Sequence, residues 1–311
     1  MKNPRIALIG NCQATTLARI LHLFAPAAEV VRFPFSDLPD RYPTQKAVFA
    51  ALSAFDLIFA QPFGPGLHPA VDGLILQEQF GERFYFYPVV EFSAFHPDCI
   101  YVRHRKSGEF LRSPMSDYHS AVALAGHSLG FTAGQTLRLF DAEVFARLGY
   151  FRFWKPSEDA LADQCRAIGF PLARMYRSWV RRGVFMHTIN HPKLFVLGDV
   201  ARALLEASGC RVPSGNAEDY LIDDALYDPV WPLYPEVAEA LSLGGGSYLF
   251  KSGSRSDRLP LFTLPEFVAR SHEMYGEQAP GVLESARVDK WLRDAALVER
   301  LRSRAECPAS V

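Results

Sequence analysis

The first hundred residues alternate between two hydrophobic periods, and few folds accommodate that alternation. Arg5–Ile9 is a short apolar run that reads as a strand. Thr15–Phe24 then places Leu17, Ile20, Leu21 and Phe24 on one helical face. Glu29–Phe33, ended by Pro34, reads as a second strand; Thr44 is placed to cap a helix over Gln45–Ala54, and Asp56–Ala60 is a third strand. Ala70–Phe80 has a helical pattern and Arg83–Tyr87 that of a fourth strand. Strands that alternate with helices in this way imply a parallel sheet with right-handed crossovers. Ligands of such sheets gather at the carboxyl ends of the strands. Here those ends are Gly10–Gln13, Phe33–Ser36, Gln61–Gly64 and Tyr87–Pro88.

From about Ser113 onward the pattern is mostly helical. Expected helices are Ser116–Ala125, Asp141–Leu148, Ser157–Ile168, Pro171–Arg182, Pro192–Ala207, Pro235–Leu243, Leu264–Tyr275 and Pro280–Arg304. Ser116, Asp141 and Ser157 suit N-caps, and Gly149, Gly169 and Gly209 suit terminators. Gly244-Gly245-Gly246 and Ser252–Asp257 are the clearest loops. The expected fold class is therefore α/β, an N-terminal parallel-sheet βαβ unit followed by a mostly helical C-terminal half. Two arrangements fit: a sheet region at 1–112 with a helical region at 113–311 packed on it, or helices wrapping the sheet of one domain.

Composition narrows the function classes. The chain is 49% hydrophobic and 22% charged, with 33 Lys and Arg against 34 Asp and Glu, a net charge of −1. That balance gives no support to a nucleic-acid binder or a binder of acidic membranes. Cysteines 12, 99, 165, 210 and 307 are odd in number, scattered and free of any Cys-x-x-Cys pair, which reads as reduced thiols in a cytoplasmic protein. The apolar run after Lys2 and Arg5 is too short for a secretory core, and Ala47–Ala60, interrupted by Ser53 and Asp56, cannot span a bilayer.

Gly10-Asn11-Cys12-Gln13 carries the strongest chemical signal. Glycine directly after a strand permits a tight turn, and a helix begins near Ala14. Cys12 then sits at a helix N-terminus, where N–H groups and the dipole stabilise a thiolate or an oxyanion. Asn11 and Gln13 bring amide donors suited to polarising a carbonyl oxygen. The competing reading is a small buried cysteine packed under the sheet. The polar flanks at a strand end favour function. The segment lacks Gly-x-Gly-x-x-Gly and is no dinucleotide fingerprint.

A base is needed for acyl chemistry. His187 and His191 flank Asn190 between a basic helix end and Pro192. The proline makes this stretch a turn, and no glutamate accompanies the pair, so no zinc site, and no metal at all, is expected. His119, after Tyr118, is the other candidate base. His68 and His96 stand in Pro-containing loops where structural roles dominate, and His22, His104, His127 and His272 have no distinguishing context. Arg103, His104, Arg105 and Lys106 form the densest basic cluster; Arg181-Arg182, Lys155 and Lys251 with Arg255 and Arg258 are others. Each is a solvated surface by default, and a phosphorylated ligand would need one of them. Phe33, Phe35, Phe63 and Tyr87 fall at strand ends, where they line a pocket or fill the core.

These residues carry a resemblance. Ile9-Gly10-Asn11-Cys12-Gln13-Ala14 is similar to the opening motif of the polysaccharide biosynthesis enzyme family WcbI. Asp56–Pro62 ending in Ala60-Gln61-Pro62, Tyr118-His119, and His187-Thr188-Ile189-Asn190-His191-Pro192 resemble its later landmarks. The resemblance extends over roughly the first 240 residues. It implies coenzyme A binding and acetyl transfer from acetyl-CoA to a sugar hydroxyl of a capsular polysaccharide or its precursor, in association with capsule-assembly proteins. On that reading Cys12 with His119 or His187 is catalytic, and Gly10, Asn11, Gln13, Gln61, Asn190 and His191 form the oxyanion and substrate site. Arg103, Arg105 and Lys106 then hold the phosphates of CoA. Cys12 either takes the acetyl group as a thioester or shapes the pocket for direct transfer. A Cys12-dependent hydrolase and a non-catalytic CoA- or sugar-binding accessory protein are the alternatives.

Overall fold

A computed structural model describes residues 3–254 and 260–307; Arg255 and Arg258, expected in a basic cluster, and part of the Ser252–Asp257 loop lie outside them. Contacts divide the chain into two compact units. The first comprises the chain up to Glu91, Glu158–Met186 and Asn190–Ala225. The second comprises Phe92–Ser157, His187–Ile189 and the chain from Leu226 onward, and residues 112 and 113 both fall within its first segment.

The first unit is built on four parallel strands, β1 (Arg5–Gly10), β2 (Glu29–Pro34), β3 (Leu57–Ala60) and β4 (Phe84–Phe86), in the order β2-β1-β3-β4. The expected α/β class with an N-terminal parallel sheet is what the chain adopts. β1 is internal, with Ile9 opposite Phe33 on one side and Ala60 on the other, and its Ile6–Ile9 stretch is fully buried. Both faces of such a strand need cover, which is why it is a continuous apolar run rather than an alternating one. The connecting helices are α1 (Gln13–Phe24), the single turn α2 (Leu38–Arg41), α3 (Gln45–Leu52) and α4 (Gly73–Phe80). Thr44 caps α3 by accepting from the Ala47 N–H, as its position predicts. α4 starts later than the apolar pattern predicts because Asp72 caps it through the Ile75 N–H. Just upstream, His68 Nδ1 accepts from the Ala70 and Val71 N–H groups and holds the entering chain in a turn. α1 buries Leu17, Ile20, Leu21 and Phe24 and packs against the helix Leu194–Ala207.

In the second unit the expected helix Ser116–Ala125 gives way to other structure. β5 (Cys99–Tyr101) is followed by the two-residue β6 (Arg103–His104) and by β7 (Tyr118–Ser120), which pairs antiparallel with β5. Ser116 sits at φ 61°, in a turn, and the cap passes to Ser120, whose hydroxyl accepts from Ala123 N–H at the start of α5 (Ala121–Ser128). Strand pairing of Tyr118–Ser120 outweighs their helical pattern, a tertiary override of local preference. The long helix expected over Pro280–Arg304 is likewise divided, because Asp294 stops one helix at Arg293 and caps the next through Leu297 N–H. No helix among the described residues is long and apolar enough to cross a membrane.

A buried carboxylate organises this unit. Asp98 is fully buried and accepts hydrogen bonds from Tyr150 Oη (2.7 Å), Tyr234 Oη (2.8 Å) and Val122 N–H (2.9 Å). Burial pushes its carboxyl up from the usual range, and these donors with Ser120 pull it back. Asp98→Ala strands two tyrosine hydroxyls and a helix N–H in the interior. We expect a loss of about 3 kcal/mol or more in urea unfolding, with Asp98→Asn less damaging because one acceptor survives.

Candidate functional site at the carboxyl end of the first strand

β1 ends at Gly10, and the space beside it is already occupied. A Cβ at Gly10 would lie 2.3 Å from Tyr87 Oη and 2.8 Å from Gln61 Oε1. Glycine is required here by close approach rather than by backbone angle. Tyr87 and Gln61 follow β4 and β3, so three adjacent strand ends converge on this point. Gln61 is fully buried; its N–H donates to Ile9 O (3.0 Å) and its Oε1 accepts from Asn11 N–H (2.8 Å). Tyr87 Oη donates to Ile9 O (3.0 Å). Burial, with a smaller contribution from Cys12, raises the Tyr87 phenol above its ordinary value, so the ring stays protonated and keeps that bond.

The turn itself is short. Asn11 Oδ1 accepts from Gln13 N–H (2.9 Å), and the Asn11 and Cys12 carbonyls accept from Ala14 and Thr15. Cys12 occupies the position that precedes α1, and its side chain caps nothing there. The thiol is exposed and lies 3.6 Å from Nε2 of half-buried His191. That contact suits either a thiol donating to a neutral imidazole or an imidazolium donating to a thiolate. By contrast Cys99 and Cys165 are buried, and burial drives the Cys165 thiol up to about 12. None of the five cysteines among the described residues forms a disulfide.

Gln13 plays a different part from the one its sequence position suggests. It is buried, and its Nε2 donates to Val90 O (3.0 Å) and Asn190 O (2.9 Å), while Oε1 accepts from Val90 N–H (3.1 Å). Both amide protons are spent on the chain, so none remains for an oxyanion. Gln13 instead ties the start of α1 to the segment after β4 and to the His191 turn. That turn is a non-helical stretch closed by the pairing of Met186 with Pro192, as the proline predicts.

The structure therefore gathers Gly10, Asn11, Cys12, Gln13, Gln61, Asn190 and His191 within the first unit. The remaining expected residues belong to the second. His119 is fully buried there, with Nε2 3.1 Å from Leu111 O and Nδ1 3.0 Å from Tyr275 Oη. The carbonyl can only accept, so Nε2 carries the proton and Nδ1 accepts from the phenol. Both nitrogens are engaged, and no lone pair is left to serve as the expected base. His187 is buried, and its carbonyl accepts from Trp231 N–H. Arg105 is 3.2 Å from Asp289 and 3.7 Å from Glu284, so its charge is already answered within the protein. Arg103 donates to Gly108 O (3.0 Å) and stacks over Phe110 at 4.0 Å, whereas Lys106 is exposed. Sequence reasoning overlooked Arg32, an exposed cation on β2 whose Nη1 donates to Thr15 Oγ1 (2.6 Å) on the first turn of α1. Its signal was faint: a single arginine in a short strand that also carries Glu29. Among the described residues no group of three His, Cys, Asp or Glu is placed to hold a metal ion.

An exposed thiol beside an imidazole, at the carboxyl ends of a parallel sheet, is the arrangement of an α/β enzyme. The sequence matches the model of the family "polysaccharide biosynthesis enzyme WcbI" over residues 5–213, and the chain belongs to that family. The resemblance carried by the Gly-Asn-Cys-Gln turn is thus borne out, and the protein is a polysaccharide biosynthesis enzyme by family. A solved structure of WcbI, described as a novel polysaccharide biosynthesis enzyme, is similar over 98% of this chain and 100% of that one, with a TM-score of 0.69 and 16% identity. That structure is of the native protein without a disulfide bond between CoA and one of its cysteines. At this identity the likeness is one of fold. No curated protein matches the sequence.

Two outcomes follow from this geometry. Gly10→Ala forces Tyr87 or Gln61 aside, and chemical unfolding should show a loss of about 1–3 kcal/mol. Burial also lowers His119 from its ordinary 6.5 to about 4, so the unfolded chain takes up a proton that the folded chain refuses between those values. The stability His119 contributes is complete above pH 6.5 and is lost as pH falls toward 4, by roughly 3 kcal/mol in all. Unfolding curves of the parent and of His119→Gln should converge as the pH falls through that window.

Proposed function

We propose that the protein is a CoA-dependent O-acetyltransferase that moves an acetyl group from acetyl-CoA to a sugar hydroxyl in the making of bacterial capsular polysaccharide, acting in the cytoplasm beside capsule-assembly proteins. The observation that carries this reading is the exposed Cys12 thiol with the His191 imidazole 3.6 Å away. Family membership supplies the polysaccharide, and the similar structure, described with reference to a bond between CoA and a cysteine, supports a CoA thiol reaching such a site. The residues present fit that ligand. Cys12 is open to solvent at the strand ends, and Arg32 adds an exposed cation next to the first turn of α1, suited to a phosphate.

Acetyl-CoA brings an activated acyl group whose transfer needs a nucleophile, a base and a donor for the developing oxyanion. His191 takes the proton of Cys12, the Cys12 sulfur bonds to the acetyl carbon, and His191 returns the proton to the departing CoA sulfur. His191 then takes the proton of the sugar hydroxyl as that oxygen bonds to the acetyl carbon, and hands it to the released Cys12 sulfur. Asn11 is the oxyanion donor in this scheme. Its Oδ1 is held by Gln13 N–H, which leaves Nδ2 directed by the turn rather than by a bond of its own. Gln61, Gln13 and Tyr87 act as positioning residues. His191 replaces His119 and His187 as the base because it shares a unit and a contact with the thiol.

The test is the intact mass of the protein after incubation with acetyl-CoA. We expect one acetyl adduct, absent in Cys12→Ser, and formed about 10²–10⁴-fold more slowly in His191→Ala. Stabilisation by CoA without any adduct would instead place the transfer directly between substrates. A hydrolase would consume acetyl-CoA with no sugar present, and an accessory protein would keep its function in a capsule-acetylation assay after Cys12→Ala. Absence of both the adduct and the stabilisation would end the proposal.

A further inference from the structure

The second unit contains a cavity of about 500 Å³, within the range of small-molecule sites. α5 and the helix Leu264–Gly276 both end at it, through His127–Ser128 and Tyr275–Gly276. Arg105, Asp289 and Leu292 complete the part of the wall that matters here.

The charges of this cavity decide what it can hold. Arg105 is paired with Asp289 (3.2 Å) and Glu284 (3.7 Å); its Nε donates to Gly281 O (3.2 Å) and its Nη2 to Leu283 O (3.4 Å), while Nη1 meets only Glu284. No positive charge is left over for a phosphate or carboxylate. Burial lowers the His127 imidazole from its ordinary value, so this ring is neutral near pH 7. Its ring neighbours are Tyr275, at 5.3 Å between centroids, and His272, at 5.5 Å, which burial holds at about 4. Helix C-termini are partially negative, and two of them add to the disfavour of anions. The wall thus disfavours anions, and the ligand that the proposed reaction supplies is a sugar, without net charge, that donates and accepts many hydrogen bonds. Asp289 and the terminal carbonyls accept, and Ser128 and Arg105 donate. Leu292, half-buried in the wall, offers an apolar surface to C–H groups.

We propose that this cavity is a carbohydrate site that binds a neutral, hydroxyl-rich sugar unit. The inference rests on reading the protein as an enzyme with a sugar acceptor, and it adds where in the chain a sugar is held. It goes beyond the Cys12 site, whose residues all belong to the first unit.

Saturation-transfer NMR on the full chain tests it, with the methyl glycosides of glucose, galactose and mannose as probes and inorganic phosphate as competitor. Ala279→Trp fills the cavity from an exposed loop position, and His127→Phe keeps a ring while removing its polar atoms. At least one glycoside should give transfer, and each variant should weaken its binding roughly tenfold or more, while phosphate should displace nothing. Stabilisation by CoA should be unchanged in Ala279→Trp, so that failure of the sugar site and failure of the CoA reading register separately. Absence of transfer from all three glycosides, binding indifferent to both variants, or displacement by phosphate would overturn the proposal.

Discussion

The amide of Gln13 holds the candidate site together. One side chain at the first position of α1 makes bonds to Val90 O, Val90 N–H and Asn190 O, all inside the protein. A buried primary amide must satisfy two donors and an acceptor, and this one does so by binding two segments distant in sequence to the end of β1. The Asn190 bond fixes the residue that precedes His191, and thereby the imidazole beside Cys12. The Gln61 bond to Asn11 N–H and the Tyr87 bond to Ile9 O brace the same turn from the neighbouring strands. The site is stiff because its supports are buried, and open because only Cys12 and its surroundings reach solvent.

The same accounting separates histidines that look alike in sequence. His68 and His119 have both ring nitrogens engaged with the chain: His68 with Tyr42 O and the Ala70 and Val71 N–H groups, His119 with Leu111 O and Tyr275. Such rings set the geometry of loops and strands. His191 differs in that one nitrogen faces a thiol. A thiol is a weak partner that a substrate can replace, whereas a backbone carbonyl in a core is not. For Arg105 as well, the neighbours matter more than the residue type: two carboxylates leave the centre of the densest basic cluster with no positive charge to spare.

Much of the fold is legible in the chain because the relevant information is local. The apolar run of β1, the periodicity of α1, the Thr44 cap and the glycine after Ile9 lie within a few residues of one another. Periods of two and 3.6 reveal strands and helices without knowledge of partners. Legibility fails where partners decide. Tyr118–Ser120 looks helical and becomes a strand because Cys99–Tyr101 lies alongside, and Asp294 divides an otherwise continuous helical pattern by capping its second part.

The turn at Gly10–Gln13 was determined by sequence alone: strand, glycine, thiol and helix follow in order, and that order places a cysteine at the carboxyl end of a parallel strand. Tertiary structure alone decided the rest of the site. His191 stands 179 residues from Cys12, and nothing in its own neighbourhood marks it above His119 or His187. Which imidazole comes to face the thiol depends on which carbonyls, phenols and amides the folded chain brings to each ring. Hydrogen bonding reaches about 3 Å in space and ignores separation along the chain, so a base can be recognised only once the chain has folded around it.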